Sequence, residues 1–350
     1  MKKRLSILLL GALALSACSQ NTQLPEPDDE PLLFSAVAAH SQLRSIIATT
    51  NYPIDVPFVV EAVHYPAGDD RLGGHSFMAG EKIEYRSESS WWTAEGDYFW
   101  PKKGSMVFFA GSPIIPQLTV GPEKGVEVDW SVSDEEATQT DICYAMVSEN
   151  CETHSAVVPV VFTHALSQIC FKARTLKNYS FSQTEGDMIQ ANVITVMLDS
   201  VKISGVLSEG HFTQNPLSWE TDPHQTASYT IYRNPDGLTL LCDRYDNPIL
   251  TKLSTMLLIP QAIPADAYIE EWHHCVVRSS VTDKTTGTII SDRTYTIPGY
   301  SEIPLRNSCA RWIQDYKYTY RIAVGLEDET SINLAVTDWI ETHEIIIGDE

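Results

Sequence analysis

The chain has 350 residues, of which 43% are hydrophobic, and a formal net charge of −22 at pH 7. Such a negative chain repels the phosphates of nucleic acids and of anionic lipid surfaces, so we expect no nucleic-acid partner. The length exceeds what one hydrophobic core usually organises, so we expect two domains.

The first residues have the pattern of an export signal. Three basic residues at positions 2–4 precede an apolar run over residues 5–15, too short to cross a bilayer, which takes about 20 apolar residues. The run ends in Leu-Ser-Ala-Cys at residues 15–18, which resembles a bacterial lipobox, where the cysteine is acylated and becomes the new N-terminus. We therefore predict a signal peptide over residues 1–17 and lipidation of Cys18.

A polar segment over residues 19–30 follows, broken by prolines and acidic at its end. This composition is typical of a flexible tether. A short apolar segment from Leu32 to Ala39 comes next, and beyond Arg44 the chain becomes β-like almost without interruption.

Alternating apolar and polar residues predict strands in the rest of the chain. The clearest pattern covers nine residues from Tyr316 to Val324, and shorter ones occur at 169–173 and 332–336. The stretch from Val193 to Val206 is rich in β-branched residues and predicts two strands or one long one. Asn-Pro-Asp-Gly at residues 234–237 predicts a hairpin turn, because proline presets φ and glycine accepts a positive φ.

Helical patterns are nearly absent, so the sequence predicts an all-β protein made of β-sandwiches. The acidic stretch from Ser131 to Asp141 predicts a long loop, and a new β pattern starts near Val157. We therefore predict an N-terminal domain over residues 45–156 and a C-terminal domain over residues 157–350.

The cysteines give no sign of a metal centre. Seven are present, and none forms a C-x-x-C pair, so we expect no zinc site. Of the six besides Cys18, Cys143 and Cys151 are the pair close enough in sequence to form a disulfide, but we favour free thiols.

No pattern predicts catalytic, cofactor-binding or metal-binding residues. Residues 74–78 begin like a nucleophile elbow, but Met78 stands where its second glycine belongs, so we predict the entry of a strand. His273 and His274 are adjacent and would point to opposite faces of a strand. The tryptophans could form a sugar platform, but we favour core packing. They are Trp91, Trp92, Trp100, Trp130, Trp219, Trp272, Trp312 and Trp339.

Several segments together resemble the fimbrillin-like family of Bacteroidales, the subunits of type V pili. They occur in the family's order over residues 50–340. The segments are Phe58–Ala62, Phe77-Met78, Trp91-Trp92, Tyr98–Pro101, Val107–Ala110, Val160–Ile169, Leu257–Gln261, Trp312–Val324 and Val336–Trp339.

The resemblance implies two transthyretin-like Greek-key β-sandwich domains in tandem, no cofactor and no catalysis. It implies an outer-membrane lipoprotein precursor, held by the lipid on Cys18, that reaches the cell surface or fimbrium when mature. An arginine-specific surface protease would then remove residues 18–44, the tether and first strand, as a propeptide. The partners would be this protease and other pilus subunits, which would fill the vacated groove by strand exchange.

Arg44 lies after the apolar segment in a small, polar stretch of the kind that proteases cut, so we expect Arg44-Ser45 to be the processed bond. Before processing, the segment from Leu32 to Ala39 would fill the groove. The short tail after Trp339, with residues 345–347 as its apolar part, leaves stalk, tip and anchor subunits as alternatives.

Two other functions are compatible with the residues. A monomeric surface lipoprotein could bind glycans through exposed tryptophans. An exported glycoside hydrolase would need two carboxylates about 5–10 Å apart in a cleft, and no pattern singles out such a pair.

Overall fold

The computed structural model describes residues 27–38, 50–66, 73–134, 138–242, 255–326 and 330–338. Within these ranges the protein consists almost entirely of strands and turns, with a 3-10 helix at Leu305–Asn307, so the predicted all-β class is confirmed. The transthyretin-like Greek-key connectivity stays a prediction. In the described part of the chain, no helix is long and apolar enough to cross a membrane.

Eight strands of the first half form one sheet, which closes on itself. Its strand order is β12-β11-β8-β4-β5-β6-β2-β3, and β12 also pairs with β2. Strands β1 and β7 form a separate two-stranded sheet. The strands are β1 Pro27–Pro31, β2 Phe34–Ala38, β3 Thr50–Asn51, β4 Phe58–Tyr65, β5 His75–Arg86, β6 Trp91–Ala94, β7 Phe99–Pro101, β8 Ser105–Ser112, β9 Leu118–Gly121, β10 Gly125–Ser131, β11 Cys143–Asn150 and β12 Val158–His164.

The second half forms two further sheets. One has the order β19-β13-β22-β23, and the other has the order β14-β15-β20-β21 with β18 also paired to β15. The strands are β13 Ser167–Thr175, β14 Phe181–Glu185, β15 Met188–Leu207, β16 Glu209–Thr213, β17 Ser218–Thr221, β18 Thr226–Thr239, β19 Thr255–Leu258, β20 Tyr268–Asp283, β21 Ile289–Pro304, β22 Tyr316–Val324 and β23 Ser331–Asp338.

The buried residues form two main cores. One is enclosed by the eight-stranded sheet, and the other combines strands of the second half with residues of β9 and β10, such as Leu118 and Val126. Phe34, Phe58 and Phe108 belong to the core enclosed by the eight-stranded sheet. Phe171 of β13 and Tyr320 of β22 stack in the second core with ring centroids 5.5 Å apart. Burying one such aromatic side chain stabilises a fold by roughly 1.5–3 kcal/mol.

A four-stranded sheet joins the two halves. Its order is β17-β16-β10-β9, so two strands come from each side of the predicted domain boundary. The side chain of Gln214, just after β16, accepts a hydrogen bond from Val126 N and donates one to Ala145 O, each at 2.9 Å. Trp219 Nε1 of β17 also donates to Ala165 O, in the connection between β12 and β13, at 2.9 Å. The halves are therefore coupled through backbone pairing and buried polar contacts.

The domain boundary after residue 156 stays a prediction. Strand pairing places β12, which follows that boundary, in the eight-stranded sheet with β11 and β2. The next strand, β13, pairs with β19 and β22 in the second half. We therefore propose that the change from one half to the other falls between His164 and Ser167.

Several predicted strands are present. The Tyr316–Val324 pattern is β22, with Tyr318, Tyr320, Ile322 and Val324 buried. The stretch from Val193 to Val206 lies inside the single long strand β15. Residues 74–78, predicted as the entry of a strand, coincide with the start of β5 at His75.

The predicted hairpin at residues 234–237 is wrong. Residues on both sides of it pair with the same strand, since Arg233 lies opposite Ser200 and Leu238 opposite Leu198. The turn residues bulge out opposite Asp199 and the chain continues in the same direction. The turn itself is real, because Asn234 Nδ2 donates to Gly237 O at 3.1 Å, but such local chemistry forms a bulge as readily as a chain reversal.

Strand β20 carries a buried pair of ionisable side chains in the second half. His273 Nδ1 lies 3.0 Å from Glu271 Oε1, and both side chains are almost completely buried. Gly299 lies opposite His273 on β21, where a Cβ would come within 2.1 Å of the imidazole. His274 instead contacts Asp199, so the adjacent histidines have different partners, as expected from neighbouring positions on a strand.

This pair predicts a pH-dependent stability. Burial alone would lower the pKa of His273, but hydrogen bonds with Cys275 and Glu271 outweigh it and raise the pKa from 6.5 to about 9. The proton on His273 therefore stabilises the fold fully below about pH 6.5, and this contribution is lost as the pH rises through 9. We expect the free energy of unfolding to fall by up to about 3 kcal/mol across this window.

Urea unfolding at several pH values between 6 and 9.5 measures this loss. The His273→Gln variant should show a flatter profile, whereas His274→Gln, altered at the next position along β20, should keep the profile of the unchanged protein. Parallel profiles for the unchanged protein and His273→Gln would contradict the assignment.

Candidate functional site

The second strand of the chain, β2, lies inside the closed sheet. Residues 34–38 of β2 pair in parallel with residues 158–162 of β12. On its other side, β2 meets β6 through Phe34 and Trp92, and β3 through its last two residues. We call residues 32–38 the plug segment, since they occupy the gap between β12 and β6.

The plug segment is held by its apolar side chains. Leu32, Phe34 and Ala38 are buried, with Phe34 completely enclosed. The Phe34 ring contacts the rings of Phe58 and Phe108 edge-on, at centroid distances of 6.5 and 5.8 Å. The alternation of inward residues at positions 32, 34, 36 and 38 explains why this short sequence forms a strand with one face in the core.

Backbone contacts hold the plug segment at its start. Leu32 N donates to Tyr98 O, and Val158 N donates to Leu33 O, each at 2.8 Å. Before these residues, β1 pairs with β7. Residues 27–38 are therefore held both by β12 and by β7 with the residue before it.

Strand β12 depends on the plug segment for its backbone partners. Its pairing with β11 covers two positions at its C-terminal end, Cys143 with His164 and Tyr144 with Thr163. The ladder of residues 158–162 is made with β2. Without the plug segment, this part of β12 would be an open edge beside an apolar groove, the arrangement that accepts an added strand.

The groove is lined by the core residues of the closed sheet. Val158, Val160 and Phe162 of β12 are buried and face it, and Pro159 and Val161 of the same strand are exposed. The sequence pattern predicted this strand as the opening of the C-terminal domain. Its alternation was visible, but the identity of its partner depends on a contact between residues more than 120 positions apart.

Three of the predicted site residues lie outside the described residues. They are Cys18, the predicted lipidation site, and Arg44 and Ser45, the predicted processed bond. The chain is described on both sides of residues 39–49, where Ala38 pairs with Thr50. Arg44 therefore lies in the connection between the plug segment and β3. Ala39, the predicted end of the apolar segment, is also outside the described ranges.

The tryptophans contribute mainly to packing. Trp92, Trp100 and Trp312 are buried, and Trp312 Nε1 donates to Tyr320 OH at 3.0 Å. Trp91 is exposed, while Trp130, Trp219 and Trp272 are half-buried. Trp339 lies outside the described residues. The described tryptophans therefore form no exposed row on which a sugar could stack.

The serine of the elbow-like stretch has a structural partner. Ser76 Oγ donates to Glu61 Oε1 at 2.6 Å, and Gly80 N donates to Glu61 Oε2 at 3.1 Å. Burial raises the pKa of the Glu61 carboxyl despite these two hydrogen bonds. Ser76 thus stabilises a buried carboxyl beside β5.

The six cysteines in the described residues form no disulfide bond with one another. The possible bridge between Cys143 and Cys151 is not formed.

Comparisons with known proteins agree with this architecture. The model of a family described as fimbrillin-like matches residues 60–339. A solved structure described as a "putative cell adhesion protein" from Bacteroides uniformis has 15% sequence identity and a TM-score of 0.51, with 89% of this chain and 100% of that chain covered. This likeness supports the fold alone. No curated protein matches the chain.

Two further solved structures have TM-scores below 0.5. A protein with the same description from Bacteroides ovatus has 14% identity and a TM-score of 0.47, covering 91% of this chain and 99% of that chain. The tip fimbrial protein Mfa3 from Porphyromonas gingivalis, with a C-terminal truncation, has 9% identity and a TM-score of 0.38, covering 88% and 99%.

Replacing Phe34 with alanine tests how strongly the plug segment supports the closed sheet. The change removes a completely enclosed ring and its contacts with two others, so we expect a loss of about 3–5 kcal/mol in the free energy of unfolding. Val37→Ala, a change at a half-buried position of the same strand, should cost much less. Equal and small losses for both variants, measured by urea unfolding, would contradict the described packing.

Proposed function

The chain belongs to the fimbrillin-like family, and we propose that it is a structural and adhesive subunit of a surface pilus. The observation that carries the proposal is the plug segment, a short apolar strand at the N-terminus that completes a sheet otherwise left open. A subunit whose own first strand can be replaced by a strand from a neighbour is able to polymerise.

Cleavage between Arg44 and Ser45 is the proposed trigger. The cut would separate the plug segment covalently from β3 and leave it bound only through the backbone pairing and the buried side chains described above. The segment could then dissociate and expose the β12 edge. A donor strand would recover the same backbone hydrogen bonds and refill the apolar groove.

The intact chain would be protected from premature assembly by the same contacts. A tethered plug segment competes intramolecularly with any donor strand and is favoured by its high effective concentration. We propose that the lipid on Cys18 holds this precursor at the outer membrane and that processing yields the form found in the fimbrium. Its partners would be other pilus subunits and an arginine-specific surface protease.

In this function the protein acts by assembly and adhesion, and we assign no catalytic residue. The rival function, glycan binding by a monomeric surface lipoprotein, lacks an exposed row of tryptophans among the described residues.

Protease treatment of the purified chain tests the proposal. An arginine-specific protease should give a product that begins at Ser45 and forms high-mass polymers that resist denaturant. Arg44→Lys, which keeps the charge but removes the arginine, should remain uncut at this bond and monomeric. N-terminal sequencing and size-exclusion chromatography with light scattering give the two results.

The two parts of the proposal, cleavage at Arg44-Ser45 and assembly by strand exchange, can be refuted separately. A product that begins at another residue but polymerises would refute the predicted bond and keep strand exchange. A product that begins at Ser45, loses residues 18–44 and stays monomeric at high concentration would refute strand exchange and favour the glycan-binding alternative.

A synthetic peptide offers a second test of the groove. A peptide of residues 30–39, added in molar excess to the processed protein, should occupy the groove and slow polymer formation. The same peptide with Phe34→Asp should have little effect, because a charge in the completely buried Phe34 position costs several kcal/mol. Equal inhibition by both peptides, measured by light scattering, would contradict the proposed groove.

A further inference from the structure

Three side chains with metal-binding atoms converge where the two halves of the protein meet. His164 Nδ1 lies 2.6 Å from Asp141 Oδ2 and 3.6 Å from Cys143 Sγ. Cys143 Sγ lies 3.5 Å from Asp141 Oδ2. In the described part of the chain, these residues form a group whose possible ligand atoms all lie within 4.8 Å of one another.

The strand pairing explains this convergence. Cys143 of β11 and His164 of β12 lie directly opposite each other, and side chains at opposite positions of an antiparallel pair share one face. Asp141 precedes Cys143 by two residues and therefore reaches the same side. His164 N also donates to Asp315 Oδ1, at 3.4 Å, which links this point to the second half of the protein.

The distances suit a tetrahedral zinc ion. Bonds of about 2.3 Å to sulfur and about 2.0–2.1 Å to nitrogen or oxygen place sulfur about 3.6 Å from either atom, and nitrogen about 3.3 Å from oxygen. The two distances that involve Cys143 Sγ already match. The distance between His164 and Asp141 is that of a hydrogen bond and would have to lengthen by about 0.7 Å.

The same three residue types occur in nucleophilic active sites, but their arrangement here differs. In such a site the histidine uses one ring nitrogen for the nucleophile and the other for the carboxylate that orients it. Here Cys143 and Asp141 both face His164 Nδ1. The atoms surround one point and do not form a chain for proton transfer, so the geometry favours a cation.

The second carboxylate oxygen of Asp141 supports a cation-binding role for this residue. Asp141 Oδ1 is buried and has no hydrogen-bond partner within the described residues. A buried polar atom without a partner is costly, and a cation bound by the carboxylate would offset that cost. The His164 side chain is 2% exposed and that of Asp141 is 26% exposed, so an ion would reach the cluster from the Asp141 side.

We propose that Asp141, Cys143 and His164 bind Zn²⁺, with water as a fourth ligand. A set of one sulfur, one nitrogen and one oxygen favours zinc over magnesium or calcium, which prefer oxygen ligands. On binding, the thiol proton of Cys143 passes to solvent, since the thiolate is the ligand, and His164 gives up its Nδ1 proton and binds as the neutral tautomer protonated at Nε2. The proposed site differs from the expectation of no metal, because its ligands come from positions that the sequence alone does not bring together.

The ion would fasten β12 to β11. These strands pair at only two positions, and one of them is Cys143 with His164. The remainder of β12 is paired with the plug segment. Zinc would therefore hold the C-terminal end of β12 in place independently of what occupies the groove. This role does not require the proposed pilus function.

Cobalt binding to the reduced full-length chain tests the proposal. Co²⁺ should bind with a 1:1 stoichiometry, with the visible absorption of a tetrahedral site and a sulfur-to-cobalt charge-transfer band, and Zn²⁺ should displace it. Cys143→Ser should abolish the charge-transfer band, and His164→Gln should weaken binding by about 100-fold or more. Cys309→Ser, altered at a half-buried thiol whose Sγ contacts Arg311 O, should bind like the unchanged protein.

Two results would overturn the site. One is the absence of Co²⁺ and Zn²⁺ binding by the folded, reduced, unchanged protein at micromolar metal concentrations. The other is a charge-transfer band that persists in Cys143→Ser. Because both measurements include the unchanged protein, a variant that fails to fold does not decide the outcome. Thermal unfolding adds a readout, since Zn²⁺ should raise the Tm of the unchanged protein and of Cys309→Ser alike.

Discussion

The backbone of β12 requires a partner, and the closed sheet of the first half depends on how that requirement is met. Residues 158–162 pair with the plug segment, and β11 reaches only the last two residues of the strand. A buried strand edge without hydrogen bonds would be strongly unfavourable. The plug segment satisfies the edge and fills the space between Phe58 and Phe108 with one ring, so backbone pairing and core packing act at the same place.

This arrangement explains why a replaceable strand is compatible with a stable fold. The plug segment is short and local, but the groove it fills is built from β4, β6, β8 and β12, which are distant in sequence. Most of these strands pair with neighbours other than β2. Loss of the segment would therefore expose one groove, while the other core, formed by strands of the second half together with β9 and β10, keeps its stacked aromatic and aliphatic residues.

The connection between the halves gives the molecule a second constraint. The four-stranded sheet takes β9 and β10 from one half and β16 and β17 from the other, and Gln214 bridges two strands of the first half. The Asp141, Cys143 and His164 cluster lies beside this connection. These three residues are a loop end, a half-buried thiol and a histidine at a strand terminus, and they are separated along the chain. The fold brings them together at the position where β12 leaves the first half.

Local patterns in the sequence determined the all-β class, the strands at Tyr316–Val324 and Val193–Val206, and the apolar character of the plug segment. Alternation and β-branched residues act over a few neighbours, so they can be seen without partners. Tertiary structure decided which strands pair. The turn at 234–237 became a bulge because both flanking segments pair with β15, and β12 joined the first half because β2 pairs with it. The cluster of Asp141, Cys143 and His164 was hidden for the same reason: the 21 positions from Cys143 to His164 become a contact only when β11 and β12 lie side by side.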